Sequence, residues 1–183
     1  MESGQQSLHK YLVIKSREGD RKAQNELYRL HANAMFNICR RMIGDEDEAK
    51  DVLQDSFIDA FGKLNKLQKE VTFSAWLKRI TINNCINALR KKKSFITGLD
   101  ENFEMEETND SDTYDYQKYQ AARIMRAIDK ISEGCRTVLN LYLFEGYDHK
   151  EIGEILSISV SASKAQYSKA KSKIRKILEE DER

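Results

Sequence analysis

The sequence contains no proline and only 8 glycines in 183 residues. Nothing in it breaks a helix as proline does, and the turn-rich all-β folds, which lean on both residues, are excluded. Cysteine is scarce. Cys39, Cys85 and Cys135 stand far apart, an odd count without C-x-x-C spacing, so neither a disulfide framework nor a zinc ribbon is expected. Set among apolar neighbours, the three read as small core residues in a reducing cytoplasm. Histidine is as rare: His9, His31 and His149 lie at no metal-ligand spacing from one another or from a cysteine. The longest apolar run, Val138 to Phe144, is short and interrupted by Asn140, so no membrane insertion is expected. The N-terminal MESGQQSLHK lacks the apolar stretch of a signal peptide. No glycine-rich phosphate loop or nucleophile motif occurs, which leaves no sign of an enzyme, a cofactor or a metal site.

What is present is charge and helical periodicity. Charged residues make up 33% of the chain and cancel to a net +1. The balance is uneven: +6 over residues 1–95, −8 over 96–117 and +3 over 118–183. The acidic stretch SFITGLDENFEMEETNDSDTYDY has no apolar period and reads as an exposed linker. The expected architecture is therefore all-α: two small helical domains, 1–95 and 118–183, joined by an acidic linker at 96–117.

In the first block, residues 8–17 and 22–43 carry apolar positions at helical spacing, among them Leu27, Leu30, Met35, Ile38 and Met42. Between Glu46 and Leu64, the residues Ala49, Val52, Leu53, Phe57, Ala60, Phe61 and Leu64 form one buried stripe. Asp51, Gln54, Asp55, Ile58 and Asp59 form the opposite face. By pattern alone that face is solvated surface. A second long helix begins at Phe73. Ile82, Ile86 and Leu89 line one side, Trp76, Arg79, Asn83, Asn87 and Arg90 another, and Arg90 to Lys93 are all basic. One cation complements the helix dipole, but four beside a tryptophan strip suggest phosphate contact.

The second block ends in a helix-turn-helix pattern. Asp148 and Glu151 carry a capping-box signature, Ile152, Ile155 and Leu156 make a buried side, Gly153 leaves room for close approach, and Ser157 to Ser159 form a polar turn. The last helix carries Ser163, Tyr167, Ala170, Ile174 and Ile177 on one stripe, and no acid occurs from Ile155 to Leu178. Ser161, Ala162, Lys164, Ala165 and Gln166 at its start are small or hydrogen-bonding, as a helix end in a major groove requires. A basic helix that merely packs and faces water is the plainer alternative.

These segments together resemble the bacterial sigma factors of the sigma-70 class, in the two-domain extracytoplasmic-function group. EAKDVLQDSFIDAF and TFSAWLKRITINNCINALRKKK are similar to the two region 2 motifs, and CRTVLNLYLFEGYDHKEIGEILSISVSASKAQYSKAKSKIRK to the region 4 helix-turn-helix. The likeness covers roughly residues 18–93 and 119–178.

The resemblance implies a non-catalytic subunit that binds core RNA polymerase, through the clamp helices of the largest subunit and the flap of the second, and directs it to promoter DNA. Asp51, Gln54, Asp55 and Ile58 match the clamp-docking segment. Lys66, Gln68, Lys69, Phe73, Trp76, Arg79, Asn83, Asn87, Arg90 and Lys91 match the surface that holds the melted −10 element. Arg136, Ser161, Ala162, Lys164, Ala165, Gln166 and Lys169 match the −35 reader. The family usually has an anti-sigma protein as a further partner. Several positions depart from its pattern: Asn87 replaces Asp, Gln68 and Lys69 replace Arg-Gly, Ser157 replaces a glycine, and Ser163, Gln166 and Tyr167 replace Val, Arg and Leu. On the buried stripe, Ser163 is expected to bond a backbone carbonyl or a water. Two other readings remain: a stand-alone helix-turn-helix regulator, and a helical adaptor acting through protein contacts.

Overall fold

The computed structural model describes residues 2–68, 72–96 and 116–181. Among them lie eight α-helices, one 3-10 turn and no strand, the all-α class expected. The chain divides into two compact units, Met1–Ser94 and Phe95–Arg183.

The first unit contains α1 (Glu2–Arg17), α2 (Arg21–Ile43), α3 (Glu46–Gly62), a 3-10 turn at Leu64–Lys66, and α4 (Phe73–Ile96). The boundaries have local causes. Asp20 caps α2 by accepting from the backbone N–H groups of Lys22 and Ala23. Gly44, at φ 91°, ends α2, and its N–H donates to Arg40 O. Asp45 then caps α3 by accepting from Glu48 N at 2.8 Å, and Glu46, Asp47 and Glu48 place negative charge at the positive end of that helix.

The core is the set of inner stripes. Leu27, Ile38 and Met42 of α2, Val52, Phe57 and Ala60 of α3, and Leu77, Ile82 and Ile86 of α4 are all buried. Each large apolar side chain so buried contributes about 1.5–3 kcal/mol. Leu30 differs from expectation and is 51% exposed, because it falls beyond the edge of the stripe centred on Ile38 and Met42. The buried hydroxyls are satisfied within their own helices: Ser56 donates to Val52 O at 2.7 Å and Thr81 to Leu77 O at 3.0 Å. Two polar links lay α4 antiparallel along α3. Asn84 donates to Asp59 at 3.1 Å, and Lys92 reaches Glu48 at 2.9 Å. Cys39 and Cys85 are fully buried in this core and in no disulfide, whereas Cys135 of the second unit is half-buried.

The second unit contains α5 (Tyr116–Asp129), α6 (Glu133–Leu143), α7 (His149–Leu156) and α8 (Val160–Glu180). Helix therefore occupies both ends of the stretch expected to be linker, and residues 97–115 lie outside the described ones. Ile128, Ile131, Leu139 and Ala170 form the centre, with Tyr167, Ile174 and Ile177 packed on it. Ile124 on α5 is 43% exposed. The capping box between Asp148 and Glu151 is complete.

In the turn between α7 and α8, Ser157 adopts the left-handed conformation at φ 59° and ψ 45°. Ile158 N donates to Gly153 O at 3.0 Å. A Cβ on Gly153 would lie 2.9 Å from Ile158 O, so this glycine makes room for the turn itself rather than for a neighbouring helix. Ser159 caps α8 by accepting from Ala162 N at 3.1 Å.

Two substitutions in this turn should act in opposite directions. Gly153→Ala drives a methyl into a backbone carbonyl and is expected to cost about 1–3 kcal/mol. Ser157→Gly removes a left-handed penalty and should gain about 1 kcal/mol. Chemical denaturation followed by circular dichroism measures both, and shifts of the same sign would refute this account of the turn.

Candidate functional site

Three surfaces hold the residues singled out from sequence, two on the first unit and one on the second. On α3, Asp51, Gln54, Asp55 and Ile58 are all exposed on the face opposite the buried stripe. Ile58 is 63% exposed, an apolar side chain standing among carboxylates. Asp59 does not belong to this outward set. Lys63, at 2.6 Å, and Asn84 hold its carboxylate, and these two partners keep its pKa below the usual carboxylate value.

On α4, Arg79, Asn83, Asn87 and Arg90 are exposed along one strip, with Lys91 beside its end. Trp76 is half-buried and sits 6.3 Å, centroid to centroid, from Phe73. Ahead of the helix, Lys66 and Gln68 are exposed, and Lys69 lies outside the described residues. The helix brings together a stacking ring, two amides and two guanidinium groups, a combination suited to single-stranded nucleic acid.

Phe73 is the correction on this surface. Expected as a contact residue, it is only 2% exposed. Its ring is surrounded by His9, His31, Phe61 and Trp76, at centroid distances of 6.1, 5.4, 6.5 and 6.3 Å. An aromatic at the first position of α4 is drawn in by the gap between helices. The meeting of His9 and His31 was invisible in the sequence, where 22 positions and a helix boundary separate them.

On the second unit, Ser161, Lys164, Ala165 and Lys169 are exposed on α8, and Ala162 and Gln166 are half-buried. Ser161 Oγ lies 2.9 Å from Ser159 Oγ. Gln166 turns back toward α6: its Oε1 sits 3.1 Å from where a Cβ on Gly134 would be. Arg136 is the second correction. It is 9% exposed, and its guanidinium donates to Asp129 O at 3.2 Å, the carbonyl of the last residue of α5. Ser163 is fully buried, and the partner of its Oγ is a side chain on α7, His149 Nδ1 at 2.9 Å. The imidazole of His149 stacks on Tyr142 at 4.6 Å and meets the Tyr167 edge at 5.7 Å. The departures Ser163 and Tyr167 thus share one neighbour on α7. Lys171 lies 4.7 Å above the Tyr167 ring.

Among the described residues no group of three or more histidine, cysteine or carboxylate side chains is placed to hold a metal ion, and no helix is long and apolar enough to cross a membrane.

The family model for sigma-70 region 2 matches residues 27–95, and that for sigma-70 region 4 matches residues 121–174. The chain is 25% identical over 178 residues to RNA polymerase sigma factor NccH of Alcaligenes xylosoxydans xylosoxydans, covering 94% of this chain and 96% of the relative. It is 27% identical over 187 residues to the ECF RNA polymerase sigma factor SigW of Bacillus subtilis, covering 91% and 97%. Among solved structures it resembles the sigma factor RpoE in complex with the anti-sigma factor NepR from Bartonella quintana. The TM-score is 0.61 over 85% of this chain and 96% of that one, at 19% identity, a likeness of fold.

The burial of Phe73 separates packing from contact. Phe73→Ala should lower the stability of the first unit by about 3–5 kcal/mol, whereas Asn83→Ala on the exposed strip should change it by no more than about 0.5 kcal/mol. Equal stabilities of the two variants in thermal unfolding would return Phe73 to the surface.

Proposed function

We propose a division of labour for a chain that belongs to the sigma-70 family and, as a sigma factor, directs RNA polymerase to promoters. Residues 1–95 dock on the polymerase and hold the melted −10 element, and residues 118–183 read the −35 element. The observation that carries this reading is the pair of exposed faces on α3 and α4, each backed by its own buried stripe.

Asp51, Gln54 and Asp55, with Ile58 at their edge, form the face for the clamp helices of the largest subunit. Acids around one apolar side chain suit a partner that is basic at its rim and apolar at its centre. Extruding a base from the duplex costs a few kcal/mol. Stacking on Trp76 contributes about 1–3 kcal/mol per base, and Arg79 and Arg90 attract the backbone, so these together offset that cost. Asn83 and Asn87 supply edge hydrogen bonds in the same strip. Lys66, Gln68 and Lys91 border the strip, and Phe73 supports it from below.

On α8, the positive end of the helix dipole and the exposed Ser161, Lys164 and Ala165 enter the major groove, with Lys169 on phosphate. Gln166 and Arg136 serve as positioning residues, because both are engaged with neighbouring helices. A shallow apolar hollow of about 460 Å³, lined in part by Ile124, Leu143, Phe144 and Ile174, is the candidate seat for the flap of the second subunit. The solved relative in its anti-sigma complex supports an anti-sigma partner for this chain too. The reading needs no catalytic group, and it places the protein in the cytoplasm with the polymerase.

Asp51→Arg combined with Asp55→Arg should abolish association with core polymerase while leaving the circular dichroism unchanged. Normal co-elution of that variant with core enzyme would sink the docking assignment. Lys169→Ala should weaken promoter binding for all sequences alike and lower the salt slope by about 1. In-vitro transcription with core polymerase tests the whole. Discrete transcripts that depend on this protein are expected, whereas specific promoter binding without polymerase would favour a stand-alone regulator.

A further inference from the structure

His9 on α1 and His31 on α2 meet with their Nε2 atoms 2.7 Å apart and their rings edge to face. Such a bond requires one Nε2–H and one Nε2 lone pair. A neutral pair meets that requirement, and so does a pair carrying one extra proton. A doubly protonated pair does not: two N–H donors and two positive charges then face each other at contact distance. Both rings also lie against the buried Phe73, the first residue of α4, which packs in turn on Trp76.

We propose that His9 and His31 form an acid-sensitive latch that positions Phe73, and through it the N-terminal turn of α4, so that the surface assigned to the −10 element loosens when both imidazoles are protonated. The proposal rests on the assignment of that surface to the −10 element.

The surroundings make the latch responsive to this one event. Among the described residues of α1 and α2, the titratable group that each imidazole meets is the other. From α4 the facing group is the ring of Phe73, which stacks in turn on Phe61 of α3. Among the described residues no carboxylate is placed to stabilise a second positive charge. Burial lowers the pKa of His9, and burial together with the charge of His9 lowers that of His31. The folded state therefore binds fewer protons here than the unfolded chain does. The contribution to stability is complete above the ordinary histidine value of about 6.5, and is lost as pH falls through that value toward the lowered ones. Because the two sites interact, the protons add in two steps that belong to the pair.

The test uses the full chain and its holoenzyme at about pH 7.5 and about pH 5.5, either side of the histidine range. Thermal midpoints and permanganate reactivity of thymines in an open promoter are read for the wild type and for His9→Gln combined with His31→Gln. The wild type is expected to lose several degrees of midpoint and several-fold in promoter opening at the lower pH. The double variant should lose less of both. Equal losses in the two proteins would overturn the latch. So would a histidine-dependent midpoint with unchanged opening, since the pair would then position nothing at the strip.

Should the double variant fold poorly, NMR titration of the wild-type imidazoles decides. Two coupled steps below the ordinary range are expected, and two independent ordinary titrations would overturn the proposal. Failure of the underlying assignment looks different: Trp76→Ala and Asn83→Ala would leave opening at neutral pH intact.

Discussion

The rotation of α3 about its own axis is the constraint on which the rest of the first unit depends. Ala49, Val52, Phe57 and Ala60 must face α2 and α4, and a 3.6-residue period leaves the opposite side no freedom. A turn by one residue would carry Asp51 and Asp55 toward the interior, at a cost of several kcal/mol for unpaired carboxylates. It would also expose Phe57. Both terms point the same way, so Asp51, Gln54, Asp55 and Ile58 are held outward by residues that are themselves buried.

The same constraint passes to α4 through polar links as well as apolar packing. Asn84 reaches Asp59, and Lys92 reaches Glu48, near opposite ends of the paired helices. The pairing sets which side of α4 is buried, so Arg79, Asn83, Asn87 and Arg90 share one exposed strip. Two exposed faces on helices linked in this way stay in fixed register. That register is what the proposed function needs, since it assigns one face to the polymerase and the other to single-stranded DNA.

In the second unit the demanding element is the turn between α7 and α8. Gly153 admits the Ile158 carbonyl, Ser159 caps the following helix, and Ser157 takes a left-handed conformation that glycine would adopt at lower cost. Opposing that cost, His149 joins α7 to the buried Ser163 of α8, stacks on Tyr142 and meets Tyr167 edge-on. A hydroxyl in the core is thereby satisfied by a side chain on the neighbouring helix. α8 is held against α7 by one polar bond and one edge-on aromatic contact in place of a wholly apolar seam.

Helix positions, the capping box at Asp148, most of the buried stripes and the outward faces of α3 and α4 were legible in the order of residues. Each depends on neighbours three or four positions away, and the helical period turns that spacing into a side. What could not be read were neighbours across helices. Phe73 looked like a contact and is core; Arg136 looked like a phosphate ligand and closes the end of α5; Gln166 leans on Gly134; His9 finds His31. Leu30 and Ile124 carry apolar side chains at helical spacing and are nevertheless exposed. These outcomes depend on the distance and rotation between packed helices. That geometry is set by the summed packing of many side chains, and no single segment of the chain contains it.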